Sequence, residues 1–118
     1  MFEKMIEISM LDDFYGQLLT AKQQELLKLY HEDNYSLSEI AEEFGISRQG
    51  VHDAVKKAEK ALHGYENKLG LISKFTSAEE AVTAIDSEID KLMQENRDNR
   101  QLTEKLKHIK SIIDKINE

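Results

Sequence analysis

The residues best suited to chemistry fall in one short stretch. Arg48, Gln49, His52, Asp53, Lys56, Lys57 and Lys60 are interleaved with the apolar positions Val51, Ala54, Val55, Ala58 and Leu62. On a helix this spacing buries the apolar set and turns the seven polar residues outward. Arg forks onto guanine O6 and N7, and Gln onto adenine N6 and N7. An acid can accept from cytosine N4, and lysines meet phosphates. The combination suits reading duplex DNA through its major groove. Any one of these lysines would also serve as part of a solvated helix face, so it is the set that carries the reading.

Other chemistries find no support. His31, His52, His63 and His108 lack metal-ligand spacing, and the chain contains no Cys, so neither a metal site nor a cofactor is expected. The adjacent acids Asp12-Asp13 and Glu42-Glu43 diverge on a helix, which suits surface charge better than acid/base work. No glycine-rich phosphate loop is present. Phe14, Tyr15, Tyr30, Tyr35 and Phe44 follow the apolar stripes and are expected in a core, not on a base-stacking platform. An enzyme is not expected.

The elements that must position the polar set are legible around it. A helix-turn-helix needs a small residue where its helices cross and a tight turn four residues later. It then needs an apolar anchor and a core residue early in the second helix. Ala41, Gly45, Ile46 and Val51 meet these needs in order. Ser36 with Glu39 forms a capping box for the first helix, where Leu37, Ile40, Ala41 and Phe44 face inward, and Ser47 caps the second. Gly45 suits a left-handed turn residue because it lacks a Cβ. Gly50, by contrast, costs its helix about 1 kcal/mol relative to Ala.

Upstream, Ile8, Leu11, Tyr15 and Leu18, with Met5, Phe14 and Leu19 beside them, predict a helix over residues 5–19. Thr20 and Gln23 predict a capping box for a second helix that buries Leu26, Leu27 and Tyr30 and frays near residues 31–34. The reading helix should end near Leu62 or His63. Beyond it, Gly64, Asn67 and Gly70 weaken the pattern, while Tyr65, Leu69, Leu71, Ile72 and Phe75 predict a buried continuation.

Charge is the main objection to DNA binding. The chain of 118 residues carries a net charge of −7, and an acidic surface repels the phosphate backbone. Locally the balance reverses. Between Ser47 and Lys74, six basic residues stand against three acidic ones, Asp53, Glu59 and Glu66.

After residue 75 the character changes. Thr76/Glu79 and Ser77/Glu80 each fit a capping box, and Val82, Ile85, Ile89 and Leu92 follow a seven-residue repeat. A polar run at residues 94–100 interrupts it, and Leu102, Leu106, Ile109, Ile113 and Ile116 resume it. Two helices with a turn near residues 96–99 are expected, one long bent helix being the alternative. Their stripes must be buried, either by folding back onto the preceding domain or by pairing with a second copy through Val82, Ile85, Ile89 and Leu92.

Four blocks resemble, in order, the YlxM family of bacterial helix-turn-helix proteins. They are residues 11–15 (Leu-Asp-Asp-Phe-Tyr), 18–23 (Leu-Leu-Thr-Ala-Lys-Gln), 35–42 (Tyr-Ser-Leu-Ser-Glu-Ile-Ala-Glu) and 46–51 (Ile-Ser-Arg-Gln-Gly-Val). The resemblance covers roughly residues 5–75. The helix-turn-helix is also similar to region 4 of the sigma-70 type factors, whose core-binding region is missing here. The family resemblance implies a regulatory DNA-binding role and an association with the signal recognition particle pathway. It implies Arg48, Gln49, His52 and Lys56 as readers, and Gly50 departs from the Ala expected there.

The sequence therefore predicts an all-α chain in two parts. Residues 1–75 form a sigma region 4-like helix-turn-helix domain without a wing, and residues 76–118 a helical extension. No membrane span or signal peptide is visible, so a cytoplasmic homodimer that binds duplex DNA is expected. The alternative is an adaptor that binds a protein or ribonucleoprotein of the targeting machinery through acids such as Glu39, Glu42 and Glu43.

Overall fold

The structure, a computed structural model, describes residues 2–117. Among them are six α-helices and no strand: α1 (Phe2–Tyr15), α2 (Ala21–Leu27), α3 (Leu37–Phe44), α4 (Arg48–Leu69), α5 (Leu71–Glu95) and α6 (Arg100–Ile116). The chain divides between residues 72 and 73 into two units, three residues ahead of the expected boundary and inside α5.

Local chemistry sets most of the breaks in the first unit. Thr20 and Ser36 each accept the amide of the residue three positions on, and Gln23 and Glu39 return the bond to the cap amides. Gly45 and Gly70 end α3 and α4 with φ of +66° and +61°, a region costly for residues that carry a Cβ. Ile8, Leu11 and Tyr15 of α1, Leu26 and Leu27 of α2 and Ile40 of α3 pack with Val51, Val55, Ala58 and Leu62 of α4 in one core.

Several expectations are corrected here. The first helix stops at Tyr15, and a 3-10 turn (Gly16–Leu18) exposes Leu18 and buries Leu19 in its place. Met5 is exposed as well. Helix α4 runs through Gly64 to Leu69, because neighbouring residues continue its packing: Tyr65 is half-buried against the core. The new helix starts at Leu71 instead of Thr76, so the Thr76 and Ser77 capping boxes do not form and both residues lie within α5.

The corner between α4 and α5 explains that early start. The Tyr15 hydroxyl donates to Glu66 Oε1 and accepts from the Leu71 amide at 3.1 Å, while Glu66 Oε1 accepts from the Ile72 amide at 3.0 Å. Two amides left open at the new helix start are thereby satisfied by side chains from α1 and α4. Burial, and then the neighbouring Glu66 carboxylate, hold the Tyr15 phenol above its ordinary range. Ile72 packs on the core, but Leu69, Leu71 and Phe75 are exposed, so the predicted buried continuation is only partly present.

In the second unit α6 packs on α5 around Ile89, Leu106 and Ile113, with Val82, Met93 and Leu102 against them. The turn between them is held by Asn99, whose side chain accepts from the Leu102 amide at 3.1 Å, so two helices form where one bent helix was the alternative. Of the four residues expected to face a second copy, Ile89 is buried and Val82 packs against this core, while Ile85 and Leu92 are exposed. The seven-residue repeat is therefore shared between two faces. Lys110 closes one edge of the hairpin, pairing with Asp86 at 3.3 Å and with Asp90.

Candidate nucleic-acid interface

Capping and turn geometry present the start of α4 to solvent. The Gly45 and Ile46 amides both donate to the Ala41 carbonyl, the latter at 3.1 Å, which closes the turn. Ser47 Oγ then accepts the Gly50 amide at 2.9 Å and starts α4. Behind the turn, Ile40 and Val51 are fully buried and fix α3 against α4, with Ala41 half-buried. Ile46 departs from its expected role as an anchor. It is 41% exposed and sits beside Phe44, Ala54 and Lys57 at a shallow side groove.

All seven polar residues expected on the reading face are exposed. They do not form one uniform stripe. Gln49 and Asp53 are bonded to each other, the Gln49 Nε2 donating to Asp53 Oδ1 at 3.0 Å. His52 Nδ1 lies 3.6 Å from the same carboxylate oxygen. His52 and Lys56 line one flank of α4, a groove shared with Lys4 of α1. Lys57 lines the opposite flank together with Lys22 of α2. Arg48 and Lys60 complete the exposed set.

Two acids that counted against a basic surface turn inward. Glu59 is buried and its carboxylate lies 3.0 Å from His31 Nε2. Glu66 is occupied at the α4–α5 corner. Asp53 alone of the three acids between Ser47 and Lys74 is fully at the surface, so the exposed face of α4 is more basic than its composition indicates.

Sequence reasoning missed these inward acids and Lys4. Glu59 did carry a signal, since it stands four residues after Val55 and three before Leu62, at core spacing. His31 and Tyr15 lie 28 and 51 residues from their partners, a distance over which no local pattern operates. Among the described residues, no group of three His, Cys, Asp or Glu is placed to hold a metal ion. No helix there is long and apolar enough to cross a membrane.

A capped turn, a buried crossing and a second helix that bares Arg, Gln, His and Lys define a helix-turn-helix protein of all-α fold. The chain belongs to the UPF0122 family, whose model, described as "Putative helix-turn-helix protein, YlxM / p13 like", matches residues 2–102. A UPF0122 protein of Listeria monocytogenes is 40% identical over 112 residues, which cover 95% of this chain and 99% of that protein. Another, from Lactococcus lactis, is 41% identical over 110 residues, 93% of each chain. A third, from Desulforamulus reducens, is 44% identical over 84 residues, 71% of this chain and 72% of that one. The family match takes in α5 and the start of α6, which corrects the expectation that the resemblance ends near residue 75.

Proposed function

We propose that this chain is a DNA-binding regulator that lays α4 in the major groove of duplex DNA, with Arg48, Gln49 and His52 nearest the bases. Lys56, Lys57 and Lys60 then meet the phosphates. One observation carries the reading: Glu59 and Glu66 are withdrawn from the surface of α4, leaving its exposed face basic in an otherwise acidic chain. The test is selection from pooled random duplex DNA over a salt series. Enrichment of one sequence, with log affinity falling as salt rises, is the expected result, and Arg48→Ala with Lys56→Ala should abolish it. Failure to retain any duplex at low salt overturns the reading.

The adaptor reading, in which acids of α3 dock a component of the signal recognition particle pathway, rests on Glu39, Glu42 and Glu43. Glu39 is already committed to the Ser36 cap, where the Ser36 amide donates to it at 3.0 Å. This leaves Glu42 and Glu43 for a partner, and DNA binding is the better-supported function.

We further propose that two copies pair through their second units. Ile85 and Leu92 of α5, and Ile109, Ile112 and Ile116 of α6, are each between 42% and 64% exposed. Helical spacing puts both sets on the same side of the antiparallel hairpin, opposite the edge that Lys110 closes. Exposed Glu88 and Glu95 flank the α5 set and exposed Lys105 flanks the α6 set. A two-fold axis that lays α5 of one copy on α6 of the other therefore joins unlike charges, as an isologous interface requires.

A further inference from the structure

A groove of about 490 Å³ opens beside α4, walled by the start of α1 and by the segment between α2 and α3. Three departures from regular structure meet at it. The first is a π-helical turn (Lys28–Glu32), a form that is rare and concentrated at functional sites. It supplies Tyr30 and His31 to the wall.

The second is Asn34, which also lines the groove and holds φ of +56°. Among the described residues no other non-glycine residue takes positive φ, and such backbone persists where the surroundings enforce it.

The third departure is electrostatic. Lys4 and Lys56 both line the groove, and the proximity of the like-charged Lys4 ammonium pulls the Lys56 pKa below its ordinary value. Two ammonium groups so placed repel each other unless an anion lies between them. The groove's own acid, Glu59, acts on Lys56 in the opposite sense but less strongly than Lys4, and its carboxylate is bonded to His31 at 3.0 Å. His52 and Tyr35 add a ring N–H and a hydroxyl to the same walls, and the Asn34 carboxamide adds two further donors.

We propose that this groove seats a phosphate group, bracketed by the ammonium groups of Lys4 and Lys56, with Asn34, Tyr35 and His52 donating to its remaining oxygens. The seat deepens the DNA reading by adding a contact from α1, outside the helix-turn-helix. A backbone phosphate of the duplex and a free phosphate ester offer the same chemistry.

The experiment uses the full chain and two probes. Inorganic phosphate is titrated at constant ionic strength while backbone amide resonances are followed in the wild type, Lys4→Ala and Lys107→Ala, the last a control in α6. The salt dependence of binding to a duplex selected as above is then measured for the same three proteins. We expect saturable shifts at Asn34, Tyr35 and His52 in the wild type and the control, with binding at least tenfold weaker in Lys4→Ala. A salt slope about one lower in Lys4→Ala would assign the seat to a backbone phosphate. An unchanged slope with phosphate binding lost would assign it to a free phosphate ester. Shifts that do not saturate, or that persist in Lys4→Ala, overturn the proposal. If the wild type retains no duplex at any salt, the DNA reading fails while the phosphate titration still decides the seat.

Discussion

At the scale of single residues, the Gln49–Asp53 hydrogen bond bears directly on the proposed reading of DNA by α4. Bidentate recognition of adenine needs both ends of the Gln49 carboxamide, and its nitrogen is donating to Asp53. Under the proposed DNA reading, Asp53→Asn removes a negative charge from the face of α4 turned to the duplex and weakens the hold on Gln49. Duplex binding by this variant should tighten several-fold and change in base preference at one position, measured by competition between selected and permuted duplexes. Glu39 makes a second residue-scale prediction. The Ser36 amide and hydroxyl hold its carboxyl below the usual range. A carboxyl with a depressed folded pKa stabilises above its unfolded value, near 4.3, and that contribution is lost as pH falls through the folded value. Acid unfolding of the wild type should therefore show a loss of stability below about pH 4.3 that Glu39→Gln reduces. Thermal melts of the two proteins between pH 3 and 7 would measure it.

At the scale of elements, the turns and corners decide which helices exist. Gly45→Ala forces a Cβ into a left-handed residue and should cost roughly 1–2 kcal/mol, although nothing nearby would clash with the added atom. Gly50→Ala behaves differently. A Cβ there would meet Ser47 Oγ at 3.1 Å, so the cap must yield slightly, which offsets part of the ~1 kcal/mol helix gain. Denaturant titration of both variants should show a clear loss for the first and a change well under 1 kcal/mol for the second. Tyr15→Phe leaves the Leu71 amide without its acceptor and should cost about 1–3 kcal/mol. The sequence announced the elements whose signals are local: Thr20 with Gln23, Ser36 with Glu39, Gly45 before Ser47. The start of α5 was illegible because its amides are satisfied by Tyr15 and Glu66, and only the folded chain brings them there. Thr76 and Ser77 looked like caps because the rule tests residue types, not whether a helix has already begun.

At the scale of the whole molecule, the reading face and the second unit carry separate predictions. Ile85→Lys with Ile112→Lys places charge on the proposed pairing face without touching Ile89, Leu106 or Ile113. Sedimentation should show the wild type as a dimer and this variant as a monomer, while helix content by circular dichroism stays unchanged. A wild type that sediments as a monomer at micromolar concentration would end the pairing proposal. The seven-residue repeat was visible in sequence, but its division between an internal core and an exposed face was not. That division depends on α6 folding back beside α5, which the repeat alone does not encode. The basic surface of α4 was likewise only half legible, since the sequence shows that Glu59 and Glu66 are acids but not that the fold turns them inward.

The bond between Tyr15 and Glu66 has a consequence for how the chain is made. The apolar side of α1, carrying Ile8, Leu11 and Tyr15, packs with α4, and the tie from Tyr15 to Glu66 spans 51 residues. At ordinary elongation rates of about 5–20 residues per second, roughly 3–10 s pass between synthesis of the two tyrosine and glutamate positions. Through that interval the apolar side of α1 lacks this support. Helix α4 is also the element that completes the core, so the chain forms the exposed basic face of α4 and shelters α1 in the same event.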